Sequence, residues 1–526
     1  MRIIRNNTIG VVLAASLLLS ATACSDFLDT LPDNRTEINS SDKIATLLVS
    51  AYPTALPLLI GEMSSDNVMD NGAQYDADLL QAQVYAWKDV TETDYDGVDN
   101  VWERCYNAIA SANMALEGIE ELGSPASLNP QKGEALVCRA YAHFVLATTF
   151  CMPYNPATAS QQLGIPYVIA SGTVIEGIKE RGTLQEDFDQ IAADLEIGLP
   201  LIKDNAYKVP SYHFNKRAAN AFAARFYLYA QQWDKVIEHA SVAVGGNPAG
   251  TQRHWEEDFG SISQVSDVET QYISEKKTAN LLIVPLMSNM AYITGPYGVY
   301  ERYGHGHAIY SKETTGVNGP WQLRGGLVLS DIVVSNQQKN PFPKMITHFE
   351  YIDKNSGIGY PHVVTVPFTV DETMLSRAEA YTLKGDYDKA LKDINSWILY
   401  HNYRSRDKGS DLSLSDVNAF YNQLAYHPAE LTSEKQRSMK KKLNPEGFTV
   451  AEGTQENLIQ LILQLRRLDT LQEGVRWQDL KRYGIEFSHN HAGQKVDVLT
   501  KDDPRRAIQL PQDVINAGMQ PNPRNN

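Results

Sequence analysis

Two segments about 150 residues apart carry one shared pattern, and it limits what the chain can fold into. From Ala223 the sequence reads AARFYLYAQQWDKVIEHA; from Arg377 it reads RAEAYTLKGDYDKALKDI. Tyr227, Gln231, Trp233 and Val236 fall at offsets 0, 4, 6 and 9 in the first, and Tyr381, Gly385, Tyr387 and Ala390 fall at the same offsets in the second. The spacing predicts a helix, a short turn and a second helix. Small residues let the paired helices approach, and an aromatic ring fills the gap at the hairpin.

This unit resembles the tetratricopeptide repeat. The copies are not in tandem, so large insertions interrupt the stack. Two earlier segments also read as helices: Trp102 to Leu122, with Tyr106, Ile109, Ala112, Asn113 and Leu116 at helical spacing, and the Ala-dense stretch Gly133 to Thr149. Residues 61–100 and 245–370 differ, being rich in Gly, Pro, Asn, Asp and Tyr with short β-like runs such as NLLIVPLM and HVVTVPF. The expected fold is mainly α, a tetratricopeptide-like helical-hairpin scaffold (an α-α superhelix) with large irregular loop insertions and a few short strands. Long loops held on such a frame are usually functional.

Arg2 and Arg5 precede an apolar stretch from Ile9 to Leu19, which is too short to span a bilayer and has the form of a secretory signal. It ends in Ala21-Thr22-Ala23-Cys24, a junction that resembles the lipobox of bacterial lipoproteins, with Ala21 where Leu is favoured. Acylation of Cys24 would hold the mature chain at a membrane. The formal net charge of −16 argues against nucleic acid and against adsorption to anionic lipid. Cys105, Cys138 and Cys151 are odd in number and imply no disulfide framework; Cys105 and Cys138 fall in helical patterns, as small buried side chains do.

Five pieces in order then resemble the SusD/RagB family of Bacteroidetes outer-membrane nutrient-binding lipoproteins. They are CSDFLDTLP at the mature start, VWERCYNAIASANMALEGIE, PSYHFNKRAANAFAARFYLYAQQWDKVIEHA, DETMLSRAEAYTLKGDYDKALKDIN, and LRRLDTLQEGVRWQDLKRYG from Leu465 to Gly484. In the last, Arg466, Glu473, Gly474, Arg476, Trp477, Asp479, Leu480, Arg482 and Gly484 match the family pattern, while Leu465, Asp469 and Tyr483 depart from it. The tail IQLPQDVINAGMQPNPR is loosely similar as well. The resemblance implies a signal peptide over 1–23, an N-terminal helical part over 24–240 with an early loop at 61–100, a loop-rich ligand-binding insertion over 241–370, and a C-terminal helical part over 371–526. It implies an outer-membrane address facing outward and a SusC-like TonB-dependent transporter as partner. The ligand it implies is a nutrient oligomer, foremost a glycan; the alternatives are an oligopeptide, as in a RagB-type member, or an envelope scaffold that docks proteins only.

Residues 466–482 read as a structural charge network, in which Arg476 would pair with Asp479, and Glu473 or Asp469 with Arg466 or Arg482. No His-Glu-x-x-His, Gly-x-Ser-x-Gly or phosphate loop occurs, and no catalytic role, cofactor or metal is assigned. GHGH at 304–307 and DYDGVDN at 94–100 are read as ordinary loop segments rather than metal sites. The binding chemistry lies in loop aromatics, since Tyr and Trp stack on the C–H face of a pyranose while Asn, Asp and Arg bond its hydroxyls. Candidates are Tyr297, Tyr300, Tyr303 and Trp321 among the rings of residues 290–325, which also include Tyr292 and Tyr310. Trp87, with Tyr75 and Tyr85, would form a facing wall.

Overall fold

Alanine dominates Lys216–Tyr229, and its small side chains let neighbouring helices close in from every side. Ala218, Ala219, Ala223 and Ala224 have no exposed surface. Asn215 opens this helix, its Oδ1 accepting from the Arg217 and Ala218 N–H groups at 3.0 Å each. The computed structural model describes residues 40–172, 178–296, 298–332, 339–340, 342–406, 409, 411–491 and 496–524. Cys24 and the signal segment 1–23 lie outside these residues. The scaffold and its insertions belong to one unit, Ser41–Asn526.

The scaffold helices, numbered among themselves, are α1 (Val98–Glu121), α2 (Asn129–Phe150), α3 (Leu184–Gly198), α4 (Lys216–Tyr229) and α5 (Trp233–Val244), followed by α6 (Val370–Leu383), α7 (Tyr387–His401), α8 (Thr454–Asp469) and α9 (Val475–Arg482). Sequence neighbours pack as pairs: α1 on α2, α2 on α3, α4 on α5, α6 on α7. The two recurrent segments are therefore helical hairpins, and the chain is mainly α as expected. They are also neighbours in space, because α5 packs directly on α6 across the intervening insertion. Arg377 donates to Ser241 Oγ across this join, and Lys384 pairs with Asp234 at 2.6 Å.

The shared offset 4 has a conformational reason. Gly385 has φ +81° and Gln231 has φ +60°, so both hairpins turn through a left-handed residue. Glycine adopts that shape without a Cβ penalty; another residue bears about 1–2 kcal/mol. Gln231 offsets it by donating Nε2–H bonds to the carbonyls of Tyr154 (3.0 Å) and Glu446 (2.9 Å).

The insertion returns as an antiparallel sheet of β1 (Asn280–Met287), β2 (His348–Asp353) and β3 (Ile358–Thr369), with β3 in the middle. NLLIVPLM and HVVTVPF lie in β1 and β3. β3 runs straight into α6, where the Thr369 hydroxyl caps the Glu372 N–H at 3.1 Å. Phe368 of β3 meets Phe222 of α4 at 5.9 Å and Tyr141 of α2 at 5.6 Å, which welds the sheet to the helices. Cys105 and Cys138 are fully buried.

Residues 466–482 form the charge network, with pairings other than those expected. Arg466 bonds Glu372 and Ser376 of α6 (2.7 Å each) and Asp479 (3.0 Å). Arg482 bonds Glu379 and Asp479 at 2.7 Å each. Arg476 turns away from Asp479 to hold Asp66 at 2.8 Å, while Glu473 takes Lys344 at 2.9 Å and Asp469 takes His401 at 3.2 Å. The expected pairs are local to one segment; of the observed ones only those of Asp479 with Arg466 and Arg482 are, and the others tie the segment to distant elements. Burial alone would raise the Asp66 carboxyl; Arg467 and Arg476 outweigh it and hold it far below the usual range.

Candidate functional site

The early loop and the insertion meet. Met69–Asp70 pair antiparallel with Tyr303–Gly304, and the Asp76 N–H donates to the Tyr300 carbonyl at 3.0 Å. Arg302 locks the seam with a two-pronged pair to Asp70, Nε to Oδ1 at 2.8 Å and Nη2 to Oδ2 at 2.6 Å.

This seam builds a ladder of four stacked rings. Tyr303 lies on Tyr85 (4.4 Å, 24° between planes), Tyr85 on His489 (4.1 Å, 3°), and His489 on Trp87 (4.2 Å, 13°). Guanidinium groups close both ends, Arg302 at 5.3 Å from the Tyr303 ring and Arg505 at 5.5 Å from Trp87. Three of the four rungs are fixed by polar handles. Tyr85 Oη accepts from the Asp70 N–H (3.0 Å) and donates to the Asn490 carbonyl (3.1 Å). Trp87 sits at φ +49°, and its indole N–H donates to the Ser64 carbonyl at 2.9 Å. His489 has Nδ1 2.7 Å from the Tyr85 carbonyl and Nε2 3.0 Å from that of Ser65. Burial lowers its pKa to about 4, and the neutral ring has one N–H to give.

A groove of about 690 Å³ runs beside the ladder, lined by Tyr303 with Ala82, Ala86, Lys88, Glu430, His491 and residues 496–498. That volume suits a small organic ligand. Its wall combines a ring with an ammonium, two carboxylates (Glu430, Asp497) and an imidazole, which provide hydroxyl partners of both kinds. Burial holds the His491 pKa below its ordinary value.

The sequence candidates occupy different places. Tyr303 lines the groove with its edge, only 4% of its surface being exposed. Tyr300, on the adjoining turn, is 73% exposed. Trp87 is the buried far rung, with Tyr85 and His489 between it and Tyr303. Trp321 has no exposed surface; a Cβ at Gly319 would lie 2.3 Å from its ring, and its carbonyl accepts from Asn402. In this conformation it presents no face to a ligand. Tyr297 lies outside the described residues. Tyr75 carries the Lys339 ammonium 3.8 Å from its ring centre. Sequence reasoning misses His489 and His491; the trace they leave is the alternation Phe487-Ser488-His489-Asn490-His491, which puts Phe487 and His489 on one side of a short strand.

Both loop motifs have structural roles. Asp96 of DYDGVDN accepts from the Ser288 hydroxyl (2.6 Å) and the Asn289 N–H (2.7 Å), fastening the insertion to the early loop. In GHGH, His305 is buried, with its nitrogens at the Asn67 carbonyl (3.0 Å) and Thr314 Oγ1 (2.8 Å), while His307 is exposed.

Residues 26–228 match a family model described as SusD-like, starch-binding, associating with the outer membrane. Among solved structures the chain is similar to a putative sugar binding protein from Bacteroides vulgatus (18% identity, 93% of this chain and 99% of that one, TM-score 0.64). It is also similar to SusD superfamily proteins from Bacteroides thetaiotaomicron (18%, 92% and 99%, 0.60) and Bacteroides fragilis (17%, 92% and 100%, 0.63). At these identities the likeness is one of fold. No curated protein matches the sequence. Among the described residues no helix is long and apolar enough to cross a membrane.

Proposed function

We propose that the chain is a SusD-family outer-membrane lipoprotein, anchored through Cys24, that captures glycans outside the cell and passes them to a SusC-like TonB-dependent transporter. It binds its ligand without turning it over. The observation that carries the glycan reading is Tyr303, a ring held by three more rings and two arginines at the wall of a groove rich in hydroxyl partners. The outer-membrane association in the family description and the sugar-binding description of the first structural relative agree with it. Tyr303 and Tyr300 are the residues assigned to the ligand, with Trp87 stiffening the wall from behind. Tethering beside a pore raises effective concentration, so a few stacked contacts of about 1 kcal/mol each are enough and release stays quick.

Affinity gels and calorimetry against a polysaccharide panel test this. Retardation by at least one glycan, weakened several-fold in Tyr300→Ala, whose ring is 73% exposed, at unchanged melting temperature, is expected. Binding of oligopeptides with no glycan retarded would transfer the site to the peptide reading.

A further inference from the structure

The groove takes residues 496–498 of its lining from the edge of a short strand pair, Phe487–His489 with Asp497–Leu499, in which His489 stands directly across from Asp497. One strand pair thus supplies both a rung of the ring ladder and a wall of the groove. Two strands this short do not hold themselves in place. What fixes them comes from a turn further along the chain, Pro504–Arg506. Arg506 has no exposed surface, and its guanidinium donates to the carbonyls of Thr500 (2.7 Å), Leu480 (3.1 Å) and Ile485, which ties the base of the strand pair to α9.

Arg505 reaches the groove side. One edge of its guanidinium, Nε and Nη2, donates to Asp503 at 3.0 and 2.8 Å; the other, Nη1 and Nη2, donates to Asp497 at 2.8 and 3.1 Å. Nη2 also meets the Val498 carbonyl at 3.3 Å, and the central carbon lies over the Trp87 ring. Asp503 accepts from the Arg505 N–H at 2.9 Å, so the turn secures the side chain that secures the wall. Both edges and one face of the group are in use, which a planar fork permits and an ammonium does not. Arg505 keeps 25% of its side chain exposed and Asp503 9%, so these are not the fully solvated pairs that contribute little. Without the guanidinium, Asp497 and Asp503 would be left as neighbouring like charges.

We propose that Arg505 is a positioning residue for the groove: through Asp497 and Val498 it sets the wall that shares the groove with Tyr303, and through Trp87 it aligns that wall with the ring ladder. Its effect on binding rests on the reading of this groove as the glycan site. The native chain, Arg505→Met, Asp497→Asn and the double variant are compared in affinity gels against the polysaccharide panel, soluble starch first. The gels run well below the melting temperature, where a residue serving stability alone leaves binding untouched. Arg505→Met weakens retardation several-fold, and the double variant is no weaker than the more affected single, because the arginine acts through Asp497. Arg505→Lys keeps the charge, loses the fork and stays weaker than native. Hydrogen exchange without any ligand reports the same wall: the amides of residues 497–499 exchange about tenfold faster in Arg505→Met, while those of α1–α7 keep the native rate. Native retardation by Arg505→Met, additive losses in the double variant, full recovery in Arg505→Lys, or native exchange at 497–499 would each overturn the assignment. Faster exchange at 497–499 in a chain that no glycan retards would uphold Arg505 as the support of this wall and overturn the glycan reading alone.

Discussion

Asp96 shows how one buried carboxyl can make the join between two loops depend on pH. Burial pushes its pKa up to about 7, against ~3.9 in an unfolded chain. A group whose folded pKa is raised contributes stability fully below the unfolded value and loses it as pH climbs through the folded one. The contribution of Asp96 to stability is thus greatest below about pH 4 and is lost toward pH 7, because ionisation places a charge in the interior that the bonds from Ser288 and Asn289 only partly offset. Asp96→Asn copies the protonated form, so the variant should melt above the native protein at pH 8 and level with it near pH 4. Equal melting at both values would strip Asp96 of this role. Gly385 is a simpler case. A Cβ there meets no atom within 4 Å, so Gly385→Ala tests backbone shape alone, and chemical denaturation should show a loss of about 1 kcal/mol.

Among elements, the joint between β3 and the helices is the mechanical centre. Phe222 contacts Tyr141, Phe144 and Phe368 at 5.3, 5.5 and 5.9 Å and has no exposed surface. Truncation to Ala should cost about 3–5 kcal/mol, read as a shifted denaturation midpoint. Such pairings explain how far the sequence can be read. The hairpins are legible because Tyr227 with Gln231, and Tyr381 with Gly385, repeat a local spacing set by one turn. Their stacking is not, since α5 and α6 are brought together by contacts that cross a long insertion. The same limit applies to residues 466–482: charge types are legible, but Arg476 reaches Asp66, some four hundred positions away. In the candidate site Trp87 and Tyr303 are expected on facing walls, and they are the end rungs of one ladder. One middle rung, His489, comes from the far end of the chain, and no local pattern announces that it slots between Tyr85 and Trp87. Trp321 is indistinguishable in sequence from Tyr300, because only the folded Gly319 turn decides which ring is covered.

For the whole molecule, the proposed anchor makes the sharpest demand. Mass spectrometry of the protein purified from its native membrane should show acyl chains on Cys24, and Cys24→Ala should shift it to the aqueous phase in detergent partitioning. An unmodified thiol would detach the chain from the membrane altogether. Copurification with a β-barrel transporter from the same envelope would test the delivery step. The insertion itself leaves after α5 and comes back as β3 fused to α6, so its two ends enter and leave beside helices already in contact. Outside the strand that Phe368 welds to the frame, the excursion can therefore be exchanged for another without moving the two ends that hold it, and one chassis can carry many.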